Sequence, residues 1–221
     1  MNAETNNSAN EIKCVILNDK IEIRLNDKDD ISISFVSDGK VLSSLSISYP
    51  SAGYADGSLY LSPSKSYLLF SYYSGQSEEA FTLFKIIDYK LETVFELPYS
   101  AGEAASYNFS QDEKFLIQSL PVSCTLWDWK YYVDEGFAEK DKKGNLFFVY
   151  GYINILDIEN KKLSRHEIRV YPSKNAENFS EGNYNPFILL EMINSNTLKI
   201  SMPWGNEMLK LPLKDTLIFH I

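Results

Sequence analysis

Few side chains in this sequence have the types and spacing that chemistry needs. There are two histidines, His166 and His220, and two cysteines, Cys14 and Cys124. A zinc centre takes three or four converging His, Cys or carboxylate ligands. Two of each, scattered along the chain, do not make the usual Cys/His sets, and no metal is expected. His166 lies in Leu163-Ser164-Arg165-His166-Glu167-Ile168, where alternation predicts an outward-facing ring. His220 stands beside the last residue. No Gly-x-Ser-x-Gly elbow, glycine-rich phosphate loop or dinucleotide fingerprint accompanies either histidine. The carboxylate pairs Asp29-Asp30, Glu78-Glu79 and Asp134-Glu135 are flanked by polar residues and read as solvated turns. A glycosidase would need two such groups brought together by the fold. Cys14 and Cys124 each sit among apolar residues and read as buried free thiols, behaving as small hydrophobes. The expectation is a protein with no catalytic residues and no cofactor, and not an enzyme.

One stretch is chemically distinctive for binding. Between Trp127 and Leu146 runs a segment, 128–145, that mixes aromatics with carboxylates. Adjacent strands need only a two- to five-residue turn, so a connection of this size has a reason. Trp129, Tyr131 and Tyr132 are candidate anchors for a protein partner, and Asp134, Glu135, Glu139 and Asp141 are candidate charges. Lys140, Lys142 and Lys143 offset the acidity at the far end, which favours the carboxylates before Lys140. The structural alternative is that Trp129, Tyr131 and Phe137 fold back over the end of a sheet.

The elements that must carry this stretch are strands. Ile21-Glu22-Ile23-Arg24-Leu25, Ile31-Ser32-Ile33-Ser34-Phe35 and Leu45-Ser46-Ile47-Ser48-Tyr49 alternate apolar and polar residues, the signature of a half-buried strand. Asn18-Asp19, Asn26 to Asp30 and Ser37-Asp38-Gly39 punctuate them, and Asp-Gly supplies the positive φ of a tight hairpin. An internal repeat follows. Ser51-Ala52-Gly53 recurs as Ser100-Ala101-Gly102, and Leu61 to Leu69 aligns with Phe109 to Ile117. Tyr49-Pro50-Ser51 recurs as Tyr171-Pro172-Ser173, with the insertion lying between. The repeat divides the chain into four units of about four strands: Ile12 to Ser48, Ser58 to Leu97, Ser106 to Val170, and Pro186 to Ile221. In the fourth unit the strands are expected at 187–192, 197–202, 208–211 and 216–221. Such repeats are typical of propeller blades. The predicted fold class is all-β: consecutive four-stranded antiparallel sheets, propeller-like, as four blades or an open partial propeller. Residues 1–11 are expected to be a disordered polar tail, and 12–221 a single all-β domain.

Two resemblances follow from these residues. Ser62-Pro63-Ser64-Lys65-Ser66-Tyr67-Leu68-Leu69-Phe70 resembles the SPDGKYLLF turn of WD40-like propeller blades, and Phe109 to Ile117 is a looser second copy. Leu126-Trp127-Asp128 resembles the strand carrying LWD in such blades. The Gly-His dipeptide of WD40 blades is absent.

The chain has 221 residues, 21 Lys+Arg against 30 Asp+Glu, a net charge of −9, and 44% hydrophobic residues. That is too apolar for a disordered chain and too acidic for a nucleic-acid binder without a segregated basic patch. The first ten residues have no basic region and no apolar run, so no signal peptide is expected. No apolar stretch approaches a membrane span, and a cytoplasmic protein is expected. This profile is similar to that of the immunity proteins of bacterial toxin systems, including contact-dependent inhibition. Those proteins are cytoplasmic and often acidic, and hold a cognate toxin inactive. The resemblance implies a cationic partner, a toxin nuclease domain, whose active site is blocked. Carboxylates would stand where nucleic-acid phosphates go, and aromatics would serve as anchors. The alternative is a propeller-type enzyme or small-ligand binder with a site at the mouth of a central channel, or a general interaction scaffold.

Overall fold

A computed structural model describes residues 13–26, 31–47, 57–73, 78–101, 105–121, 133–136, 138–171, 189–202 and 205–220. The expectations for residues 1–11, for Cys124 and for Asp29-Asp30 lie outside them. Among the described residues every regular element is a strand, save a helical piece at Val133–Asp134. The fold is all-β, as the alternation predicts.

The first sheet holds β1 (Lys13–Asn18), β2 (Ile21–Asn26), β3 (Ser32–Ser37) and β4 (Lys40–Ser46) in sequence order, all antiparallel. The second holds β5 (Gly57–Leu61), β6 (Tyr67–Tyr73), β7 (Glu78–Ile87) and β8 (Lys90–Ala101) in the same way. The third is built from β9 (Ser106–Phe109), β10 (Phe115–Pro121), β12 (Leu146–Asp157) and β13 (Lys162–Tyr171), with the short β11 (Glu139–Lys140) paired to β12. The fourth holds β14 (Leu189–Asn194), β15 (Thr197–Met202) and β16 (Gly205–Lys210). Tight turns fall where the sequence places them: Asp38 and Gly39 have φ of 49° and 75°.

One strand departs from expectation. β17 (Thr216–His220) does not complete the fourth sheet but lies parallel to β13, on the edge of the third. The connection before it is already docked there. The Asp215 carbonyl accepts from the Glu167 N–H at 2.9 Å, and the Lys214 carbonyl accepts from His166 Nδ1 at 2.8 Å. Leu217 and Phe219 then join Ile168 and Val170 in one apolar cluster.

Burial explains why alternation is clean in some strands and lost in others. In β2, Ile21, Ile23 and Leu25 are buried while Glu22 and Arg24 are not. β15 alternates similarly through Leu198, Ile200 and Met202. In β6 and β10, by contrast, Leu68 to Tyr72 and Leu116 to Leu120 are buried without a break. Leu68 packs with Ile23 and Phe35 of the first sheet, while its neighbour Leu69 packs with Leu116 and Leu156 of the third. Ile117 in turn packs with Leu198 and Ile200 of the fourth. A strand covered on both faces needs apolar residues at successive positions, not alternate ones. The two middle sheets are therefore covered on both faces and the outer two mainly on one, a serial, propeller-like stack.

The repeated turn is what joins neighbours. Ser62 and Ser110, both buried, accept through Oγ from the N–H of Tyr67 and Phe115, at 3.0 and 2.9 Å. Lys65 and Glu113 each take the left-handed region, with φ of 62° and 55°.

Candidate binding site

The insertion ends in an ordinary β-hairpin anchored on the longest strand of the third sheet. Glu139 stands opposite Phe147 and Lys140 opposite Leu146. Asp141 closes the turn: Oδ1 accepts from the Lys143 and Asn145 N–H groups, each at 2.8 Å, and Oδ2 from Asn145 Nδ2 at 3.1 Å. These bonds, led by the Asn145 side chain, hold the Asp141 carboxyl below its ordinary range. Asp141 is thus committed within its own turn. Asp134 and Glu135 are exposed, in a turn closed by the Gly136 N–H on the Val133 carbonyl at 3.2 Å. Glu139 is exposed on β11. Among the described residues of the insertion, Asp134, Glu135 and Glu139 are exposed carboxylates, and Glu139 is held on β11 against β12. Trp129, Tyr131, Tyr132 and Phe137 lie outside the described residues.

Other candidates resolve differently from their sequence reading. His166 is buried, not outward-facing. Its Nδ1 donates to the Lys214 carbonyl, and its Nε2 bonds the Ser164 hydroxyl at 2.9 Å. His166 shares the phase of Ile168 and Val170, which are buried with it at alternate positions of β13, and not that of Leu163. His220 lies with its ring 5.1 Å from that of Tyr171. Cys14 is exposed, not buried, because Val15 and Leu17, one position out of phase, take the core side of β1. Glu78 and Glu79 begin β7, opposite Ala101 and Ser100, and are not in a turn. Among the described residues no group of three or more His, Cys, Asp or Glu is placed to hold a metal ion.

The sequence reading missed a polar row. Tyr107, Gln118, Asn154 and Arg165 stand in cross-strand register on β9, β10, β12 and β13. Asn154 Nδ2 donates to Gln118 Oε1 at 2.8 Å, and Gln118 Nε2 donates to the Tyr107 hydroxyl at 3.0 Å. Gln118 and Asn154 are almost fully buried, and Asn154 Oδ1 has no hydrogen-bond partner. The Arg165 guanidinium lies 3.8 Å from the centre of the Tyr152 ring. The available signal was a lone amide interrupting an apolar run, as in Phe115-Leu116-Ile117-Gln118 and Ile153-Asn154-Ile155.

No protein-family model matches the sequence, and no curated protein is significantly similar to it. Three solved structures are similar in part. An acylaminoacyl peptidase from Pyrococcus horikoshii has a TM-score of 0.41 at 14% identity, over 83% of this chain and 26% of that one. A candidate 6-phosphogluconolactonase from Bacteroides uniformis has a TM-score of 0.43 at 14% identity, over 86% of this chain and 46% of that one. The WD40 domain of SCAP from fission yeast has a TM-score of 0.38 at 9% identity, over 86% of this chain and 45% of that one. The chain spans less than half the length of each. No helix among the described residues is long and apolar enough to cross a membrane.

Proposed function

We propose that this protein is a non-enzymatic binding module that engages a cationic protein through exposed carboxylates of the 128–145 insertion. In its specific form the reading is an immunity protein that binds and neutralises a toxin nuclease domain. The observation that carries it is the exposure of Asp134, Glu135 and Glu139, the last on β11 paired with β12. Carboxylates held on a rigid β scaffold suit recognition of a basic surface, where complementary charge governs association rate and partner choice. The net charge of −9 acts in the same direction. The buried His166, with both ring nitrogens engaged in the fold, suits a structural rather than a proton-transfer role.

The test is capture from the native host with the wild-type chain and with Asp134→Lys/Glu135→Lys. The reading expects a basic protein on the wild type that is lost from the variant. Its nuclease activity should be inhibited at one-to-one stoichiometry. Trp129→Ala should speed dissociation if that side chain is a buried anchor. Equal capture by both proteins, or a captured partner whose activity is untouched, would overturn the reading.

A further inference from the structure

The first and second sheets have four strands, but the fourth has three among the described residues. The segment that would complete it, Thr216–His220, pairs with β13 instead. Among the described residues β16 therefore pairs only with β15, and its outer edge has backbone N–H and C=O groups that a further strand would meet. The outer edges of the first two sheets are interrupted: β8 carries the exposed Pro98, and β4 a register shift at Phe35/Val36. β16 has neither proline nor register shift, and its Met208 is 55% exposed. Beside that edge, between β16 and β17, lies a groove of about 660 Å³.

The lining says what would enter. Leu209, Leu217 and Phe219 contribute apolar surface, and Lys210 and Lys214 stand against a single carboxylate, Glu207. The sign of charge here is opposite to that of the chain as a whole.

We propose that this groove takes an extended, acidic segment of a partner protein, which adds to β16 as the fourth strand of the fourth sheet. Backbone hydrogen bonds to β16 set its register. Successive side chains of a strand point to opposite faces, so alternate apolar residues enter the groove while carboxylates on the segment meet Lys210 and Lys214. A groove of this size accommodates two or three such side chains. The site is separate from the 128–145 insertion and does not rest on the function proposed for it.

The probe is the peptide acetyl-Glu-Val-Glu-Val-Thr-Val-amide, with a control in which both Glu are replaced by Lys. Titration of the full chain with labelled peptide is combined with hydrogen exchange. The acidic peptide is expected to bind about tenfold more tightly than the control and to slow exchange in Gly205–Lys210. Lys210→Glu/Lys214→Glu should reverse the preference, and Asp134→Lys/Glu135→Lys should leave it unchanged. Three results would each overturn the proposal: no binding of either peptide at millimolar concentration, protection confined to β4 or β8, or dimerisation of the chain with β16 already protected without peptide. The last would assign the edge to a second copy.

Discussion

Glu113 accepts hydrogen bonds from both the N–H and the hydroxyl of Ser64, 49 positions earlier, the latter at 2.7 Å. Lys65 fills the matching position of the preceding turn, and its ammonium donates at 2.8 Å to the carbonyl of Leu17, 48 positions earlier. The charges differ but the construction is the same. The left-handed residue of each turn reaches back to the sheet before it, so the repeat joins neighbouring sheets as well as building each one.

Replacing Glu113 tests that construction. Glu113→Ala is expected to cost about 1–2 kcal/mol through the lost charge-assisted bonds. Glu113→Gly should cost about 1 kcal/mol less, since glycine enters the left-handed region without penalty. Urea midpoints of the three proteins decide it, and an equal loss in both variants would count against the turn geometry.

The buried amides should behave non-additively. Asn154→Leu alone removes a buried donor to the Gln118 carbonyl and is expected to cost about 1–3 kcal/mol. Gln118→Leu/Asn154→Leu removes both partners together and should cost less than either single change. A double-mutant cycle on unfolding free energies measures the coupling. Strict additivity would show that the two amides do not act as a pair.

Three aspartates in turns predict a pH window. Asp112, Asp141 and Asp157 have carboxyls held below their ordinary range, chiefly by hydrogen bonds from the side chains of Ser110, Asn145 and Asn160 respectively. A carboxyl depressed in the folded state stabilises above its unfolded value of about 4. That contribution is lost as pH falls through the folded value. The wild type should therefore be more stable than Asp141→Ala at neutral pH, and the gap should shrink progressively below about pH 4. Thermal melts of both proteins across that range check the sign. A gap that widened in acid would contradict it.

His166 is expected to act as a clasp for the crossover into β17. His166→Ala removes the donor to the Lys214 carbonyl and leaves that acceptor and the Ser164 hydroxyl without it. The cost should be about 2 kcal/mol or more. Hydrogen exchange should rise further in Thr216–His220 than in Thr197–Met202. Uniform acceleration across the chain would show that His166 supports the core generally.

Much of the fold was legible because a sheet exposed on one face writes its burial as a period of two. Ile21, Ile23 and Leu25 read directly, and so did the Asp38-Gly39 turn and the paired Ser62 and Ser110 turns. The candidate site was legible only as composition. A carboxylate bonded within its own turn and one facing solvent look alike in sequence, so Asp141 could not be told from Glu135 or Glu139.

The sequence by itself determined that the chain forms antiparallel strands in repeating units, because side-chain alternation and turn chemistry are local properties. Only the tertiary structure decided which faces are covered. The face of β13 that carries Ile168 and Val170 is the covered one and took His166 inward with them, and the one-sided cover of β1 left Cys14 outside. It also decided that Thr216–His220 would join β13, leaving β16 with β15 as its only partner among the described residues. Strand partners are chosen by the burial of residues far apart in the chain, here Leu217 and Phe219 against Ile168 and Val170, and no local pattern encodes that choice.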